Sequence, residues 1–522
     1  MSRGFFQFGP EGSPPGVSPG WRCCRPDTGS STPRRPADAD SMRRMPAVLW
    51  VLALLGVAKA PAAADATSVA GDEANAKRRA EAYYAMVRKA PRQDEILDLL
   101  HRGDFAVLEK KLEAFQAGYE AGKTHEYFVY AAFESFSRPH VEPEVQRWAT
   151  EHPGSWPALA ARGVMYWAAA SRARGTKVIS KTLPQQLQEM EKNLHLSAQD
   201  FRAVVAARPR FLPAYVYLIV AARMAGDTAL GSAALHAALQ QDPKSFVVRD
   251  SYMVALTPMW GGSTEAMEAF AREAQAQAGA NPELIGLLGY SYASQAEDSL
   301  RRHDSDRAIA LYTQALRYVR WPAWLSSRAK AYEESGRYEE ALADVAEALR
   351  YTPDGASVLV ERARCLRDMG KRDAALQDYA RAAELVPNSP WIVHEYAKAL
   401  ESVEPLERAS LYERYLAANP DAAEMIDGLG ELYLQRLQQP ERARDLFARE
   451  VEVAPERLSG WRNYGDALHR LHDPRAKAVY AHYFELVDRS SDSDPMDRAE
   501  RLMAQAVRRN LALEAEHEGS PQ

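Results

Sequence analysis

The sequence contains few cysteines, and their positions exclude two kinds of site. Only three of the 522 residues are cysteine. Cys23 and Cys24 lie in the first 64 residues, which leaves Cys365 as the one thiol in the rest of the chain. A disulfide framework or a cysteine-based zinc site cannot be built from a single thiol.

The sequence also lacks nucleotide-binding motifs and an excess of basic side chains. Neither G-x-x-x-x-G-K-[ST] nor G-x-G-x-x-G occurs, and no strand-like alternation precedes a predicted helix. The formal net charge is −6, and residues 65–522 carry 57 basic and 67 acidic side chains. A broad phosphate-binding surface needs the opposite balance. We therefore predict no nucleic-acid partner and no cofactor.

One short apolar run has the pattern of a secretory signal. A basic stretch at 42–45 precedes apolar residues 46–57, and small residues follow through Ala64. The run is shorter than the roughly 20 residues that span a bilayer, so stable membrane insertion is not expected. The pattern predicts a signal peptide at 42–64 and a bacterial protein that is periplasmic or secreted. The alternative is a membrane anchor formed by 46–57.

Residues 1–41 precede this signal and are rich in Pro, Gly, Ser and Arg. They lack apolar periodicity and cannot bury enough surface to offset the entropy of ordering, so we predict that they are disordered. Because a signal peptide normally begins a protein, we interpret 1–41 as a non-native extension of the chain.

The body of the chain contains an internal repeat of 34 residues. Five pairs of residues recur at that spacing: Ala329/Ala363, Gly336/Gly370, Ala341/Ala375, Ala348/Ala382 and Pro353/Pro387. Each unit is predicted to be a helix, a turn at glycine, and a second helix that ends at proline. Small residues are expected where the two helices cross closely.

This pattern resembles the tetratricopeptide repeat family. The family's sequence of large, small and aromatic positions is matched in one unit by Leu325, Ala329, Tyr332, Ala341, Val345, Ala348 and Pro353. The resemblance implies an all-α fold, a right-handed superhelical solenoid of helix-turn-helix repeats. It also implies that the first helices line a groove that binds a protein or peptide. Weaker copies extend the predicted array over 282–488.

Three further segments complete the predicted organisation. Residues 73–280 are predicted to form an irregular, helical, repeat-like domain. Residues 495–514 are predicted to form a capping helix, and 515–522 a disordered tail. The capping positions expected to cover the last repeat include Leu502, Met503, Ala506 and Val507.

Two signatures mark the irregular domain: Ala161-Arg162-Gly163 followed by Ala173-Arg174-Gly175, and Pro258-Met259-Trp260-Gly261-Gly262-Ser263. Together they resemble a bacterial family of unknown function over about 94–280, although Ala170 stands where that family has Trp. The resemblance implies a helical module and leaves its activity open. The paired glycines predict a turn that Ser263 caps, with Trp260 as a candidate ligand contact.

Histidine and cysteine chemistry is not expected. The nearest set of metal-ligand types is His469, His472, Asp473 and His482. No H-E-x-x-H accompanies it, so a solvated turn is the favoured interpretation. The similar triplets that begin at His125 and His394 are interpreted as coincidence, and Cys365 as a packed thiol.

The remaining candidate site is a row of charges at the ninth position of each repeat, which points into the groove in this family. The row begins with three cations, Lys330, Arg364 and Lys398, and continues with Glu431 and Asp466. Such a row would steer a charged partner, with an acidic segment as one option. The alternative is a solvated face with no fixed ligand.

These patterns predict an exported, non-enzymatic scaffold that binds a protein or peptide in its groove. The candidate partner-binding residues are Lys330, Arg364, Lys398 and Trp260. The alternative is a cell-envelope enzyme or regulatory subunit with a pocket in 94–280 lined by Trp156, Trp167 and Trp260.

Overall fold

The computed structural model describes residues 73–175, 182–401, 404–490 and 495–518. Every regular element in these ranges is helical, which confirms the predicted all-α solenoid of helix-turn-helix repeats. The predicted amino-terminal extension and signal peptide lie outside the described residues. In the ranges described, no helix is long and apolar enough to cross a membrane.

The described residues form two compact units, 73–331 and 332–518. The boundary predicted near residue 281 therefore falls inside the amino-terminal unit. Asn281 illustrates the continuity, because its Nδ2 donates to the carbonyl of Lys244 at 2.9 Å while its Oδ1 accepts from the backbone N–H of Glu283 at 3.0 Å. Residues on both sides of the predicted boundary are thus tied together.

The amino-terminal unit consists of helices joined by short turns. Its α-helices are α1 (Glu73–Val87), α2 (Gln93–Arg102), α3 (Phe105–Glu120), α4 (Glu126–Glu134), α5 (Glu142–Glu151), α6 (Trp156–Arg174), α7 (Pro184–Ala207), α8 (Leu212–Ala225), α9 (Thr228–Gln241), α10 (Phe246–Ala255), α11 (Thr264–Ala274), α12 (Tyr290–Arg301) and α13 (Ser305–Ala315). Short 3₁₀ helices lie at Ser135–Ser137, Pro258–Trp260, Gln275–Gln277 and Pro282–Gly289. Helix α14 (Pro322–Glu334) begins in this unit and ends in the next.

The carboxy-terminal unit continues the repeats. Its helices are α15 (Tyr338–Tyr351), α16 (Ala356–Asp368), α17 (Arg372–Leu385), α18 (Pro390–Ala399), α19 (Pro405–Ala418), α20 (Ala423–Glu431), α21 (Pro440–Val453), α22 (Leu458–Arg470), α23 (Ala476–Arg489) and α24 (Pro495–Glu518). The segment Leu432–Arg436 continues α20 as a π-helix. Because α24 ends at Glu518, the first residues of the predicted disordered tail are helical.

Small residues stand where helices of the carboxy-terminal unit cross. Ala363 of α16 and Ala375 of α17 are 0% and 1% exposed and belong to one apolar cluster. Between these helices Gly370 adopts φ 75°, a left-handed conformation that favours glycine. The fit at Gly430 is also tight, because an added Cβ would lie 2.5 Å from the ring of Phe447. The 34-residue spacing thus supplies one turn and one close crossing per repeat.

Replacing Ala375 with leucine is expected to destabilise the carboxy-terminal unit by about 1–3 kcal/mol through overpacking. Urea unfolding followed by circular dichroism measures the change. The matched control is Ala374→Leu on the same helix, at an exposed position, which should shift stability by less than about 0.5 kcal/mol. Equal midpoints for the two variants would show that position 375 is not a close crossing.

The final helix α24 covers the last repeat with a face that matches the predicted one only at Val507. Ala504 is 1% exposed and packs there together with Val507 and Leu511. Leu502 and Met503, which were expected to cover the repeat, are 64% and 51% exposed. The small side chain at 504 allows the helix to approach closely, so the contact is centred on alanine, with Val507 and Leu511 packed beside it and Leu502 and Met503 facing solvent.

Candidate partner-binding surface

In the carboxy-terminal unit, first helices of neighbouring repeats form a layer in two stretches, α16 with α18 and α20 with α22, and the capping helix α24 contacts α22. Polar side chains link members of this layer, and we call the face that they share the inner face. It is defined by Glu333, Glu361, Arg364, Asp427, Asn463, Arg462 and Glu500.

Arg364 of α16 lies between two carboxylates of the inner face. Its guanidinium is 3.3 Å from Glu333 Oε2 and 3.6 Å from Glu361 Oε2. The side chains of Arg364 and Glu333 are 21% and 6% exposed. Burial opposes the charge of Arg364, but Glu361, Glu333 and Glu395 outweigh it and raise its pKa. Burial also raises the pKa of Glu333 to about 7, in spite of Arg364. The positive charge of Arg364 is therefore already paired with the carboxylates of Glu333 and Glu361.

Lys398 holds on α18 the repeat position that Arg364 holds on α16. Its side chain is exposed and makes no hydrogen bond or ion pair with the residues that the structure describes. Lys330 is half-buried on α14 and belongs to the amino-terminal unit, whereas the other two cations belong to the carboxy-terminal unit. The predicted column of three cations stays a prediction.

The two acidic members of the predicted row also have partners. Glu431 Oε1 accepts from Asn463 Nδ2 at 3.4 Å, and Asp466 Oδ1 accepts from the Tyr480 hydroxyl at 2.6 Å. Burial raises the pKa of both carboxyl groups. Of the five ninth-position side chains, Arg364, Glu431 and Asp466 thus have polar partners on neighbouring helices.

Sequence analysis missed the polar link between α20 and α22. Asp427 accepts from Asn463 Nδ2 at 2.8 Å and from Arg457 at 2.9 Å, while Arg457 also donates to Glu450 Oε1 at 2.9 Å. The Glu450 side chain is 0% exposed. Burial, followed by the charge of Asp427, raises the pKa of Glu450 to about 7. These residues occupy different repeat positions, so no single periodicity marks them.

Trp260 lies on a tight turn between α10 and α11. Its ring is 40% exposed, and the guanidinium of Arg223 lies 4.9 Å from the ring centroid. Gly261 has φ 87°, and a Cβ on Gly262 would lie 2.0 Å from the carbonyl oxygen of Leu256. The glycines are therefore required by the turn, which presents Trp260 in a fixed position.

The three tryptophans of the alternative enzymatic pocket have separate surroundings. Trp156 is 8% exposed and packs against Phe211, with ring centroids 5.0 Å apart. Trp167 packs against Tyr217 at 5.2 Å, and Trp260 lies over Arg223.

A cavity of about 440 Å³ lies beside Trp156 alone of the three tryptophans. Its polar lining residues are Glu109, Glu113, His152, Ser155 and Arg208. The described structure therefore does not bring the three tryptophans into one pocket.

The carboxy-terminal histidines are not gathered into a ligand set among the described residues. Asp473 is bound instead by Arg475, whose hydrogen bond lowers the pKa of Asp473 to about 2. His482 lies 3.9 Å from Glu485. Cys365 is 1% exposed, and burial raises the pKa of its thiol to about 12, as suits a packed side chain.

Comparison with protein families identifies the repeat in the middle of the chain. Residues 294–347 and 326–390 match the tetratricopeptide repeat model. The match does not reach the irregular domain, where the resemblance to a bacterial family of unknown function stays a prediction. No curated protein matches the chain.

Several solved structures are similar to part of the chain. MamA from Desulfovibrio magneticus RS-1 is 21% identical with a TM-score of 0.28, over 33% of this chain and 97% of that one. YrrB, described as a TPR protein with an unusual peptide-binding site, is 20% identical with a TM-score of 0.26, over 35% and 91%. The TPR domain of P58(IPK) is 14% identical with a TM-score of 0.23, over 62% and 97%. Similarity at these TM-scores does not assign a partner or an activity to this chain.

Proposed function

We propose that this chain is an exported, non-enzymatic scaffold that binds a protein or peptide on the inner face of its carboxy-terminal unit. The observation that carries the proposal is the layer of first helices in an array that includes a tetratricopeptide match. Stacked repeats bury their apolar faces only against neighbours, which leaves an extended surface available to a partner.

The charges on this surface suggest which residue contributes most to binding. Arg364 forms ion pairs with Glu333 and Glu361, whereas the side chain of Lys398 is exposed. An acidic segment of the partner would therefore gain most from Lys398, with Arg364 contributing less. Lys330 is proposed separately, as a contact on the amino-terminal unit. Trp260 is a further proposed contact on the amino-terminal unit, because a rigid exposed aromatic ring loses little entropy on binding.

Site-specific photo-crosslinking tests this surface. A photoreactive phenylalanine analogue is placed at position 398, the predicted groove position of α18, or at 384 on the exposed side of α17, in the native host. The Glu384 side chain is 68% exposed, so both positions are accessible. We expect position 398 to give a discrete adduct that position 384 does not give. Identical adducts from both positions, or none from 398, would contradict the proposed surface.

Reversing the charge of Lys398 is expected to weaken the crosslinked complex by roughly threefold to tenfold, mainly through slower association. The effect should shrink above about 0.15 M salt, where charges are screened within about 8 Å. Binding of Lys398→Glu is measured by surface plasmon resonance at two salt concentrations. Unfolding free energy should change by less than about 0.5 kcal/mol, because the side chain is exposed. Unaltered affinity at low salt would remove Lys398 from the interface.

Export is proposed from the sequence of the amino terminus. The mature protein should begin at Asp65 or Thr67, because two A-x-A sites end the signal-like segment there. Amino-terminal sequencing of the protein purified from its native host measures this directly. A terminus within residues 1–45 on a cytoplasmic product would contradict export.

A further inference from the structure

Three side chains of metal-ligand type meet in the amino-terminal unit. His125 is the N-cap of α4, Glu126 is the first residue of that helix, and Glu283 lies on the 3₁₀ helix Pro282–Gly289. One ligand atom from each lies within 4.8 Å of those from the other two. Across the described ranges, this is the one group of three or more His, Cys, Asp or Glu side chains that comes so close.

Neighbouring groups hold two of these side chains in place. The Nδ1 atom of His125 accepts from the backbone N–H of Tyr127 at 3.2 Å, which directs Nε2 towards Glu283 Oε1 at 3.2 Å. Glu126 accepts from the backbone N–H groups of Phe246 and Val247 at 2.8 and 3.2 Å. The backbone contacts of Glu126 are of the kind that orient the ligands of a metal site, whereas the Nδ1 contact positions His125 only before a metal binds.

The cluster has more negative charge than its surroundings compensate. Glu283 Oε2 is buried and has no hydrogen-bond donor among the described residues. The carboxylates of Glu126 and Asp242 also act on the imidazole of His125. A cation at this point would satisfy the orphaned oxygen.

We propose that His125, Glu126 and Glu283 bind one divalent transition-metal ion, with zinc(II) as the ion that fits them best. Imidazole nitrogen and carboxylate oxygen are both zinc ligands, and water would complete a four-coordinate shell. A tetrahedral zinc ion holds neighbouring ligand atoms about 3.3 Å apart, close to the 3.2 Å between His125 Nε2 and Glu283 Oε1.

The ligand atoms used by this site follow from the contacts already present. Zinc would replace the proton that joins His125 Nε2 to Glu283 Oε1, and the imidazole proton would move to Nδ1. That move ends the Nδ1 contact with Tyr127, which is a small loss beside a metal–nitrogen bond. Glu126 would contribute Oε2, which also accepts from the Ser245 hydroxyl, because Oε1 already accepts two backbone N–H groups.

The test measures zinc binding by full-length, tag-free protein. Cys23 and Cys24 are replaced by serine in every sample, so that their thiols do not compete for zinc. Isothermal titration with zinc chloride should give one site with a dissociation constant on the order of micromolar. His125→Asn and Glu283→Gln should each weaken binding at least tenfold. Asparagine remains a good helix N-cap, so His125→Asn should fold normally.

His152 provides the matched control. It pairs with Glu109 at 3.0 Å, and the two side chains are 33% and 23% exposed, but no third ligand joins them. His152→Asn should bind zinc as the parent does. Zinc should also raise the melting temperature of the parent and of His152→Asn, and should leave those of His125→Asn and Glu283→Gln unchanged.

Three outcomes would overturn the proposal. The first is the absence of saturable zinc binding below 1 mM. The second is unchanged affinity in both His125→Asn and Glu283→Gln. The third is an equal loss in His152→Asn, which would indicate general attraction of zinc to histidine. If His125→Asn does not fold, Glu283→Gln alone decides the question.

Discussion

Replacing Glu126 with alanine should destabilise the amino-terminal unit by about 2–4 kcal/mol. Its carboxylate caps the amino terminus of α10 from another helix. It accepts from the backbone N–H groups of Phe246 and Val247 and from the Ser245 hydroxyl at 2.5 Å. Glu126 is 8% exposed, so alanine would leave these donors buried without their acceptor. Each such donor costs about 1–3 kcal/mol, and water entering the vacated space recovers part of that cost.

A graded series separates the cap from a loss of packing. Glu126→Gln retains one carbonyl oxygen for the two backbone donors, so its cost should fall between those of wild type and alanine. Glu120→Ala, at the exposed end of α3, should change stability by less than about 0.5 kcal/mol. Urea unfolding gives the free energies, and hydrogen exchange in α10 shows where the loosening occurs. A wild-type midpoint for Glu126→Ala would mean that α10 does not depend on this cap.

The repeat architecture can be predicted from the sequence because the helices of each repeat pack with the same geometry. Ala363 and Ala375 fill a close helix crossing, and Gly370 supplies the positive φ of the turn between them. Both requirements select a residue type at a fixed position, so they recur every 34 residues. The signal weakens at α24, where alanine at 504 marks the contact face and no repeat position identifies it.

The charge pairing of the inner face is not accessible from one repeat position. Arg364 alone suggests a free groove cation, but Glu333 comes from the preceding repeat and Glu361 from an earlier turn of the same helix. The same limit applies to His125 and Glu283, which are far apart in sequence and meet only in the folded unit. These contacts form only when helices pack in the folded unit, so a residue pattern along the chain does not predict them.

Replacing Arg364 with methionine should destabilise the carboxy-terminal unit by about 3–5 kcal/mol at pH 8, because two carboxylates lose their counter-charge. The side chains of Glu333 and Glu361 are 6% and 13% exposed, so water can replace the guanidinium only partly. Methionine retains much of the aliphatic length of arginine, so the loss reports mainly on charge. Urea unfolding at two pH values measures it.

The cost should be smaller at pH 5 than at pH 8. Burial raises the pKa of Glu333 to about 7 even with Arg364 present, so the folded pKa lies above the ordinary value of 4.5. A carboxyl group with such a raised folded pKa lowers the unfolding free energy of the protein as pH rises from its unfolded pKa towards its folded pKa. Without Arg364 the folded pKa rises further. Glu333 then stays protonated at pH 5 at little cost, whereas its ionisation at pH 8 is penalised.

Arg381→Met is the control for this prediction. Arg381 also contacts two carboxylates, at 3.2 Å from Asp354 and from Glu384, but its side chain is 52% exposed. Exposed pairs contribute about 0–1 kcal/mol because water solvates the separated charges, so this variant should unfold almost as wild type does at both pH values. An equally small effect of Arg364→Met would contradict the prediction. It would mean that water solvates Glu333 and Glu361 when the guanidinium is absent. Arg364 would then be available to a partner, as its repeat position alone suggests.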